Sequence, residues 1–220
     1  MNIKAEVQLL MMIVRFENLV VTVFLDMQSP MYLFFDTETT GLPISWRAPV
    51  TDINNWPRLV QLAFLYCDGK GNTLMSGDYI IKPEGFLIPH EASMIHGIST
   101  ERANVDGRLL SDVLQEFQTV IGKAEVLVAH NMRFDEKIVG SEFIRAGMHN
   151  PLPSKRKICT MERATDFCAL KGQYGNKWPK LTELHFKLFG IGFEEAHNAT
   201  FDIQATAKCF WELKRKGIVG

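Results

Sequence analysis

The pattern of apolar and polar residues divides the chain into strand-like and helix-like segments. Short runs rich in apolar residues are typical of buried strands, and such runs occur at 31–35, 58–66, 73–81 and 125–129. Apolar residues at helical spacing predict amphipathic helices, at 109–121, 131–147 and 199–214. The order strand, hairpin, helix, strand, helix predicts an α/β fold, with a sheet that is covered by helices on both faces.

The remaining segments are shorter. A short helix is predicted within 88–98, because Gly97 supplies a stop signal. Further helices are expected at 161–170 and 179–189. Proline, glycine and polar residues predict loops at 43–57 and 171–178.

The first predicted strand runs directly into two carboxylates, Asp36 and Glu38. Because side chains alternate along a strand, residues two apart point the same way. Two carboxylates held together repel each other, and loss of water makes that repulsion costlier. Mg²⁺ or Mn²⁺, which prefer hard oxygen ligands, would compensate the charge. Acidic and threonine residues after an apolar run also commonly begin turns or cap helices, so this pair alone leaves both interpretations open.

Composition narrows the class of protein. The chain has 220 residues, of which 46% are hydrophobic and 22% charged, as in an ordinary globular domain. Its net charge of −1 excludes a polycation that coats nucleic acid, so any such contact must be local. The four cysteines form no CxxC pair, which argues against structural zinc and a disulfide scaffold. Reduced, mostly buried thiols in a cytoplasmic protein are expected.

The first thirty residues differ from the rest. Apolar stretches at 9–14 and 19–25 are divided by charged residues, and neither reaches the roughly 18 apolar residues that a membrane span needs. We therefore predict no membrane association. We expect 1–30 to be a peripheral or disordered extension that could be absent from the native protein, because Met31 directly precedes the first core strand. Residues 31–220 are expected to form the functional domain.

Two more polar groups follow predicted elements. Asp135 falls in the first turns of a helix after the strand at 125–129, and Asp202 falls one turn into the last predicted helix. The carboxyl ends of parallel strands collect functional groups, so all four carboxylates could meet at one sheet edge. Such a cluster is hard to explain without a metal ion. Taken singly, each acid is also a common surface residue near a helix N-terminus.

Together, these segments resemble the three motifs of the DEDDh 3′→5′ exonuclease family. In chain order they are Asp36-Thr37-Glu38-Thr39-Thr40-Gly41, His130-Asn131-x-x-Phe134-Asp135 and His197-x-Ala199-x-x-Asp202. The stretch Ile95-His96-Gly97-Ile98 resembles a stretch found in one group of family members. This group is similar to the proofreading epsilon subunit of bacterial DNA polymerase III and its stand-alone relatives. The resemblance covers about residues 31–215 and leaves out 1–30. It implies a ribonuclease H-like fold with a central mixed sheet of about five strands.

The resemblance also implies roles for individual residues. Two Mg²⁺ or Mn²⁺ ions would be held by Asp36, Glu38, Asp135 and Asp202. His197 would be the general base that deprotonates the attacking water, the alternative being a helix-entry residue without a catalytic role. Thr39, Leu42, His96 and Phe134 match positions near the terminal nucleotide, and Thr40, Gly41 and Asn131 are assigned to substrate binding beside them.

The implied function is a metal-dependent 3′→5′ exonuclease that releases nucleoside 5′-monophosphates from DNA ends. Single-stranded DNA is the expected partner, and a polymerase is a candidate partner. An RNA-trimming exoribonuclease of the RNase T or oligoribonuclease kind would use the same chemistry. Two alternatives belong to a different class of function, without catalysis: a polymerase-associated binding module and a structural metal site. Trp46 or Trp56 could stack on a base, although packing onto the domain is the commoner fate of a loop tryptophan.

Overall fold

The computed structural model describes residues 14–16, 19–21, 29–192 and 199–220. The strands are β1 (Val14–Phe16), β2 (Leu19–Val21), β3 (Tyr32–Thr39), β4 (Leu59–Cys67), β5 (Thr73–Ile80), β6 (Val126–Ala129), β7 (Arg156–Cys159), β8 (Lys171–Gly172) and β9 (Gly175–Asn176). The α-helices are α1 (His90–His96), α2 (Thr100–Asp106), α3 (Leu110–Lys123), α4 (Met132–Arg145), α5 (Thr160–Arg163), α6 (Thr165–Cys168), α7 (Leu181–Phe189) and α8 (Ala199–Arg215).

Five strands form the central sheet in the order β5-β4-β3-β6-β7. The pairs β3–β4 and β4–β5 are antiparallel, whereas β3–β6 and β6–β7 are parallel. The predicted mixed sheet of about five strands is therefore confirmed. Because β3 and β6 run the same way, their carboxyl ends open at the same edge of the sheet, which is where the predicted motifs begin.

Helices cover both faces of the sheet. Neighbouring residues of β3 point to opposite faces, and an apolar side chain on each face packs against a helix. The ring of Phe34 packs against Phe210 of α8, with 5.2 Å between ring centroids. The ring of Phe35 packs against Phe117 of α3 at 5.6 Å. All four side chains are buried, so β3 is the centre of the core and fixes one helix on each side.

Two local expectations were wrong. The helix expected at 161–170 is divided at Ala164 into α5 and α6. There the Thr165 hydroxyl donates a hydrogen bond to the carbonyl oxygen of Met161 (3.0 Å), a side-chain bond of the kind that often bends helices. The loop expected at 171–178 contains the small hairpin β8–β9, which Gly175 makes possible at φ +124°.

Helix α2 was missed altogether. Its N-cap is Ser99, whose side chain accepts a hydrogen bond from the backbone N–H of Arg102 (3.2 Å). A serine at the start of a short helix is a recognisable signal, but the seven residues of α2 are too few for a clear apolar period.

The loop at 43–57 has no regular element, as predicted, yet it is tied to α4. The carboxylate of Glu142 is fully buried and lies 2.9 Å from both Arg58 and Arg145. Arg145 in turn donates to the backbone carbonyls of Ile53 and Trp56. This ionic cluster fixes the loop against the body of the domain.

The amino-terminal segment is described only in part. Strands β1 and β2 pair with each other in antiparallel fashion. The rest of 1–28 lies outside the described residues, so a peripheral or disordered extension and a domain boundary at residue 30 stay predictions. None of the helices within the described ranges is long and apolar enough to cross a bilayer. All four cysteines are buried and unpaired, as expected.

Replacing Glu142 should destabilise the protein strongly. In Glu142→Ala the partly buried Arg58 and Arg145 lose the fully buried carboxylate that pairs with both of them, so the free energy of unfolding should fall by about 3 kcal/mol or more. The control is Asp106→Ala, which removes a surface ion pair with Arg102 whose side chains are both about half exposed (52% and 53%). It should cost less than about 1 kcal/mol. Equal losses in urea unfolding would contradict the role given to Glu142.

Candidate active site

Three carboxylates meet where β3 reaches the sheet edge. Asp36 and Glu38 come from β3, and Asp202 comes from the first turn of α8. One oxygen atom of each lies within 4.8 Å of the others. We call these residues the carboxylate triad. Each of its members is half-buried, so the group is held by protein atoms and still open to a ligand from the cleft.

Aromatic packing fixes the helix that brings Asp202 to β3. Besides the Phe34–Phe210 contact, the rings of Tyr32 and Trp211 lie 5.2 Å apart. The ammonium group of Lys214 donates a hydrogen bond to the Tyr32 hydroxyl (2.6 Å). Because α8 is fastened along β3 by these contacts, its first turn lies over the end of the strand.

Asp135 lies close to the triad but is not one of its members. Its side chain is almost completely buried, and one of its oxygens accepts a hydrogen bond from the Thr37 hydroxyl (2.8 Å). Its charge nevertheless contributes to raising the pKa of Asp36. The role of Asp135 as a metal ligand therefore stays a prediction.

Burial and mutual repulsion shift the ionisation of these acids upward. Burial, followed by the charges of Asp135, Glu38 and Asp202, raises the pKa of Asp36 well above its usual value. Burial and the charges of Asp202 and Asp135 raise the pKa of Glu38 to about 8. Burial raises the pKa of Asp135 to about 7, against the opposing hydrogen bond from Thr37. Uncompensated negative charge on a set of oxygen donors fits a hard divalent cation such as Mg²⁺ or Mn²⁺.

A cleft of about 450 Å³ adjoins Glu38 of the triad. Six of the seven residues assigned to substrate binding line it, namely Thr39, Thr40, Gly41, Leu42, His96 and Phe134. The opposite wall is formed by α1, whose Glu91, Ala92 and Ile95 were not predicted. Their spacing relative to His96 places them on one side of a helix, which is the signal that could have identified them.

The segment after β3 is held by a network of hydrogen bonds. The Thr39 hydroxyl donates to the Gly41 carbonyl oxygen (2.7 Å). The backbone N–H of Thr40 donates to the Arg58 carbonyl (3.0 Å), and the Thr40 hydroxyl accepts from the Arg58 N–H (2.9 Å). Gly41 has φ +146°, which disfavours any side chain although a Cβ there would meet nothing within 4 Å. The rim of the cleft is therefore fixed by backbone conformation.

His96 and Phe134 both line the cleft, one with a polar and one with an apolar side chain. The Nδ1 atom of His96 accepts a hydrogen bond from the backbone N–H of Ile98 (3.2 Å). Burial lowers the pKa of His96, and the Thr39 backbone carbonyl opposes that shift. His96 therefore presents a neutral imidazole at pH 7. The Phe134 ring gives the cleft an apolar wall and contacts the Trp46 ring, with centroids 5.7 Å apart.

The seventh assigned residue, Asn131, does not line this cleft and instead lines a neighbouring cavity. Next to it, His130 is buried between the Thr160 hydroxyl (2.9 Å) and the Pro179 carbonyl (3.0 Å). Burial lowers the pKa of His130 to about 4, so it acts as a neutral connector between segments. His197 lies outside the described residues, and its assignment as general base stays a prediction.

Comparison with known proteins agrees with this geometry. The family model for RNase_T, described as exonuclease, matches residues 33–210. The chain therefore belongs to this exonuclease family, which places it in the class of DEDDh-type 3′→5′ exonuclease hydrolases.

Its curated relatives include much longer proteins named DNA polymerase III PolC-type. The chain is similar to DNA polymerase III PolC-type from Streptococcus suis, with 32% identity over 177 residues that cover 80% of this chain and 11% of the relative. The corresponding protein of Lactococcus lactis is 30% identical over 183 residues, which cover 83% and 10%. The chain thus spans about a tenth of the length of these relatives.

Solved structures show the same fold. Escherichia coli Exonuclease I in complex with a dA16 oligonucleotide superposes with a TM-score of 0.67 at 20% identity, over 84% of this chain and 41% of that chain. Exonuclease I from Methylocaldum szegediense gives a TM-score of 0.68 at 19% identity, over 85% and 41%. The expected ribonuclease H-like architecture is confirmed.

Thermal stability should depend on pH and on divalent cations together. Unfolded Asp and Glu release their protons near pH 4, whereas folded Glu38 and Asp135 hold theirs until pH values of about 8 and about 7. The folded state therefore binds more protons over this interval, and without metal the melting temperature should fall as pH rises from about 4 to about 8. Mg²⁺ should restore most stability at the upper end, because it binds the ionised carboxylates. Melting curves with EDTA or Mg²⁺ would measure both effects.

Asp36→Asn provides the control for this prediction. The neutral amide removes one repelling charge, so the metal-free variant should melt at a higher temperature at pH 8 than the unsubstituted protein. Its stabilisation by Mg²⁺ should be largely lost. Equal stabilisation of both proteins by Mg²⁺ would show that the cation binds elsewhere.

Proposed function

We propose that the chain hydrolyses DNA from its 3′ end with the help of divalent cations and releases nucleoside 5′-monophosphates. The observation that carries the proposal is the carboxylate triad, which adjoins a cleft with room for a terminal nucleotide. Membership of the exonuclease family supports the same class of reaction.

Two Mg²⁺ or Mn²⁺ ions are the proposed cofactors. Asp36, Glu38 and Asp202 would hold them, with Asp135 contributing directly or through water. Such ions, when bound, supply an activated water and stabilise the negative charge that develops on the scissile phosphate. The raised pKa values of the carboxyl groups support this assignment, because the protein alone leaves their repulsion uncompensated.

The protein's own groups bind the strand end and move one proton. Leu42 and Phe134 offer apolar contacts to the terminal base, while the neutral imidazole of His96 offers a polar edge. His197 is proposed to accept the proton of the attacking water, because an imidazole of ordinary pKa near 6.5 can act as a base at neutral pH. The water oxygen bonds to phosphorus as the bond from phosphorus to the 3′ oxygen breaks, and the 3′ oxygen leaves with the bonding electrons and takes up a proton from solvent. The products are a nucleoside 5′-monophosphate and a strand shortened by one residue.

The choice of DNA rests on relatives. Solved complexes of E. coli Exonuclease I contain the oligonucleotides dA16 and dT13. The curated relatives are named as DNA polymerase III, which supports a polymerase as partner of this chain. RNA trimming by the same chemistry is the second candidate, and the choice of substrates in the assay separates the two.

Loss of either Asp36 or Asp202 should abolish nucleotide release. Asp36→Asn and Asp202→Asn should each lower kcat by at least about 10²–10³-fold, because the groups that hold the cations are lost. Release of mononucleotides would be measured with Mg²⁺, Mn²⁺ or EDTA on single-stranded DNA, single-stranded RNA and mismatched duplex DNA. The greatest rate is expected on single-stranded DNA.

Asp112→Asn is a matched control for these variants, since Asp112 is also an acid in the first turn of a helix but is exposed on α3. It should leave the rate unchanged. Retained activity in Asp36→Asn would contradict the proposed site, and a preference for RNA would favour the exoribonuclease.

Replacing the proposed general base should lower the rate without preventing substrate binding. His197→Ala should reduce kcat by about 10²–10⁴-fold, with a smaller effect on KM. The control is His149→Ala, an exposed histidine outside the cleft, which should retain full activity. A loss below about tenfold in His197→Ala would show that this residue is not the base.

A further inference from the structure

A second cavity, of about 550 Å³, adjoins the cleft beside Glu38, which we now call the catalytic cleft. We call it the tryptophan cavity, and its principal lining residues are Trp46, Trp56, Trp178, Asn131, Arg133 and Lys137. The two spaces meet at the contact between Trp46 and Phe134, because Phe134 lines the catalytic cleft and Trp46 lines the tryptophan cavity. A ligand that leaves one space over this contact enters the other.

The tryptophan cavity is built on fixed elements. Trp46 belongs to the loop at 43–57, where the side-chain amide of Asn55 donates to the Ser45 carbonyl (3.0 Å) and its oxygen accepts from the Ser45 N–H (2.7 Å). Trp56 forms the floor, with its indole N–H donating to the Pro49 carbonyl (3.0 Å). The loop is also held by the buried Glu142 cluster described above. The cavity is therefore formed before any ligand binds.

Two of the tryptophans present unusual apolar area to solvent. Trp46 is 56% exposed and Trp178 is 53% exposed, although indole rings are normally well covered. Exposed rings of this size commonly mark a binding surface. Neither ring has a role in the catalytic cleft itself, so their exposure calls for another ligand.

Cations accompany the exposed rings. The Arg133 guanidinium lies 5.9 Å from the ring centre of Trp178, and the Lys137 ammonium lies 5.8 Å from that of Trp56. Aromatic rings interleaved with cations are the arrangement that binds single-stranded nucleic acid, whose bases stack while the phosphates meet positive charge.

Carboxylates near the cavity reduce the positive charge of these cations, but the net charge stays positive. Arg133 pairs with Glu162 (2.8 Å), and Glu136 pairs with Lys157 (3.1 Å). Together with Lys137, the group keeps an excess of one positive charge. Asn131 adds a polar group, because its side chain does not cap the helix that it precedes.

We propose that the tryptophan cavity binds an unpaired nucleobase that lies upstream of the two nucleotides joined by the scissile bond, so that a dinucleotide does not reach it. Trp46 and Trp178 stack on the base, and Lys137 and Asn131 contact its phosphate or polar edge. The base must be unpaired, because pairing within a duplex hides the faces on which the rings would stack. The inference rests on the proposed function, since it takes the catalytic cleft as the place where the strand ends.

A fluorescence titration tests binding without turnover. In the Asp36→Asn protein, a single strand of about twelve nucleotides should quench tryptophan emission more than a dinucleotide or a blunt duplex of the same sequence. Adding Trp46→Phe and Trp178→Phe should remove most of the quenching, because the two remaining tryptophans are shielded from stacking: Trp56 is only 3% exposed, and Trp211 packs against core rings. A signal that is the same for all three ligands, or that survives both substitutions, would overturn the proposal.

Steady-state kinetics test the same cavity in the active protein. Trp46→Ala and Trp178→Ala should each raise KM for the long strand at least about fivefold more than KM for the dinucleotide. Both rings are surface-exposed, so the variants should fold, and their melting temperatures would verify this. The matched control is Phe186→Ala on α7, an aromatic residue that is 60% exposed and lines neither cavity. It should leave both KM values unchanged.

The outcomes separate this inference from the proposed function. An active enzyme in which the tryptophan variants change KM equally for long and short substrates would overturn the inference and leave the nuclease assignment intact. A protein without nuclease activity that still shows length-dependent quenching by single strands would support the cavity and contradict the catalytic proposal.

Discussion

The structure depends on holding mutually repelling carboxylates together at one edge of a sheet. Asp36 and Glu38 are fixed by β3, but Asp202 reaches them only because α8 is packed along that strand. Aromatic contacts between β3 and α8, each adding roughly 0.5–1.5 kcal/mol beyond simple burial, oppose the repulsion. Burial and, after it, the charges of the neighbouring carboxylates raise the pKa values of Asp36 and Glu38. Packing between β3 and α8 in the core thus holds the three triad carboxylates close together in spite of their repulsion.

Helix α4 divides its first turns between two neighbouring spaces. Phe134 faces the catalytic cleft, and Asp135 lies buried beside Asp36. Arg133 and Lys137, four residues apart and hence on one side of the helix, face the tryptophan cavity. One helix therefore sets the position of both spaces relative to each other. The two spaces adjoin at the Trp46–Phe134 contact.

Fixing the loop at 43–57 requires a buried charge, which by itself would lower the stability of the domain. Fully burying Glu142 has a desolvation cost, which its two arginine partners offset. In return Arg145 holds the loop carbonyls, and the loop holds Trp46 and Trp56 beside α4. A buried ionic cluster here serves to fix a long irregular segment next to the cleft, where regular secondary structure does not reach.

Local sequence patterns were enough to predict the secondary structure around the site. Alternation in β3 put Asp36 and Glu38 on one side, and helical spacing identified α3, α4 and α8, because these patterns depend only on near neighbours in the chain. Resemblance of the three motifs indicated which acids to expect together. Packing between distant segments set the remaining features of the site. It placed Asn131 in a separate cavity and set the distance from Asp202 to β3. These features depend on how side chains from distant segments pack against each other, which no local pattern records.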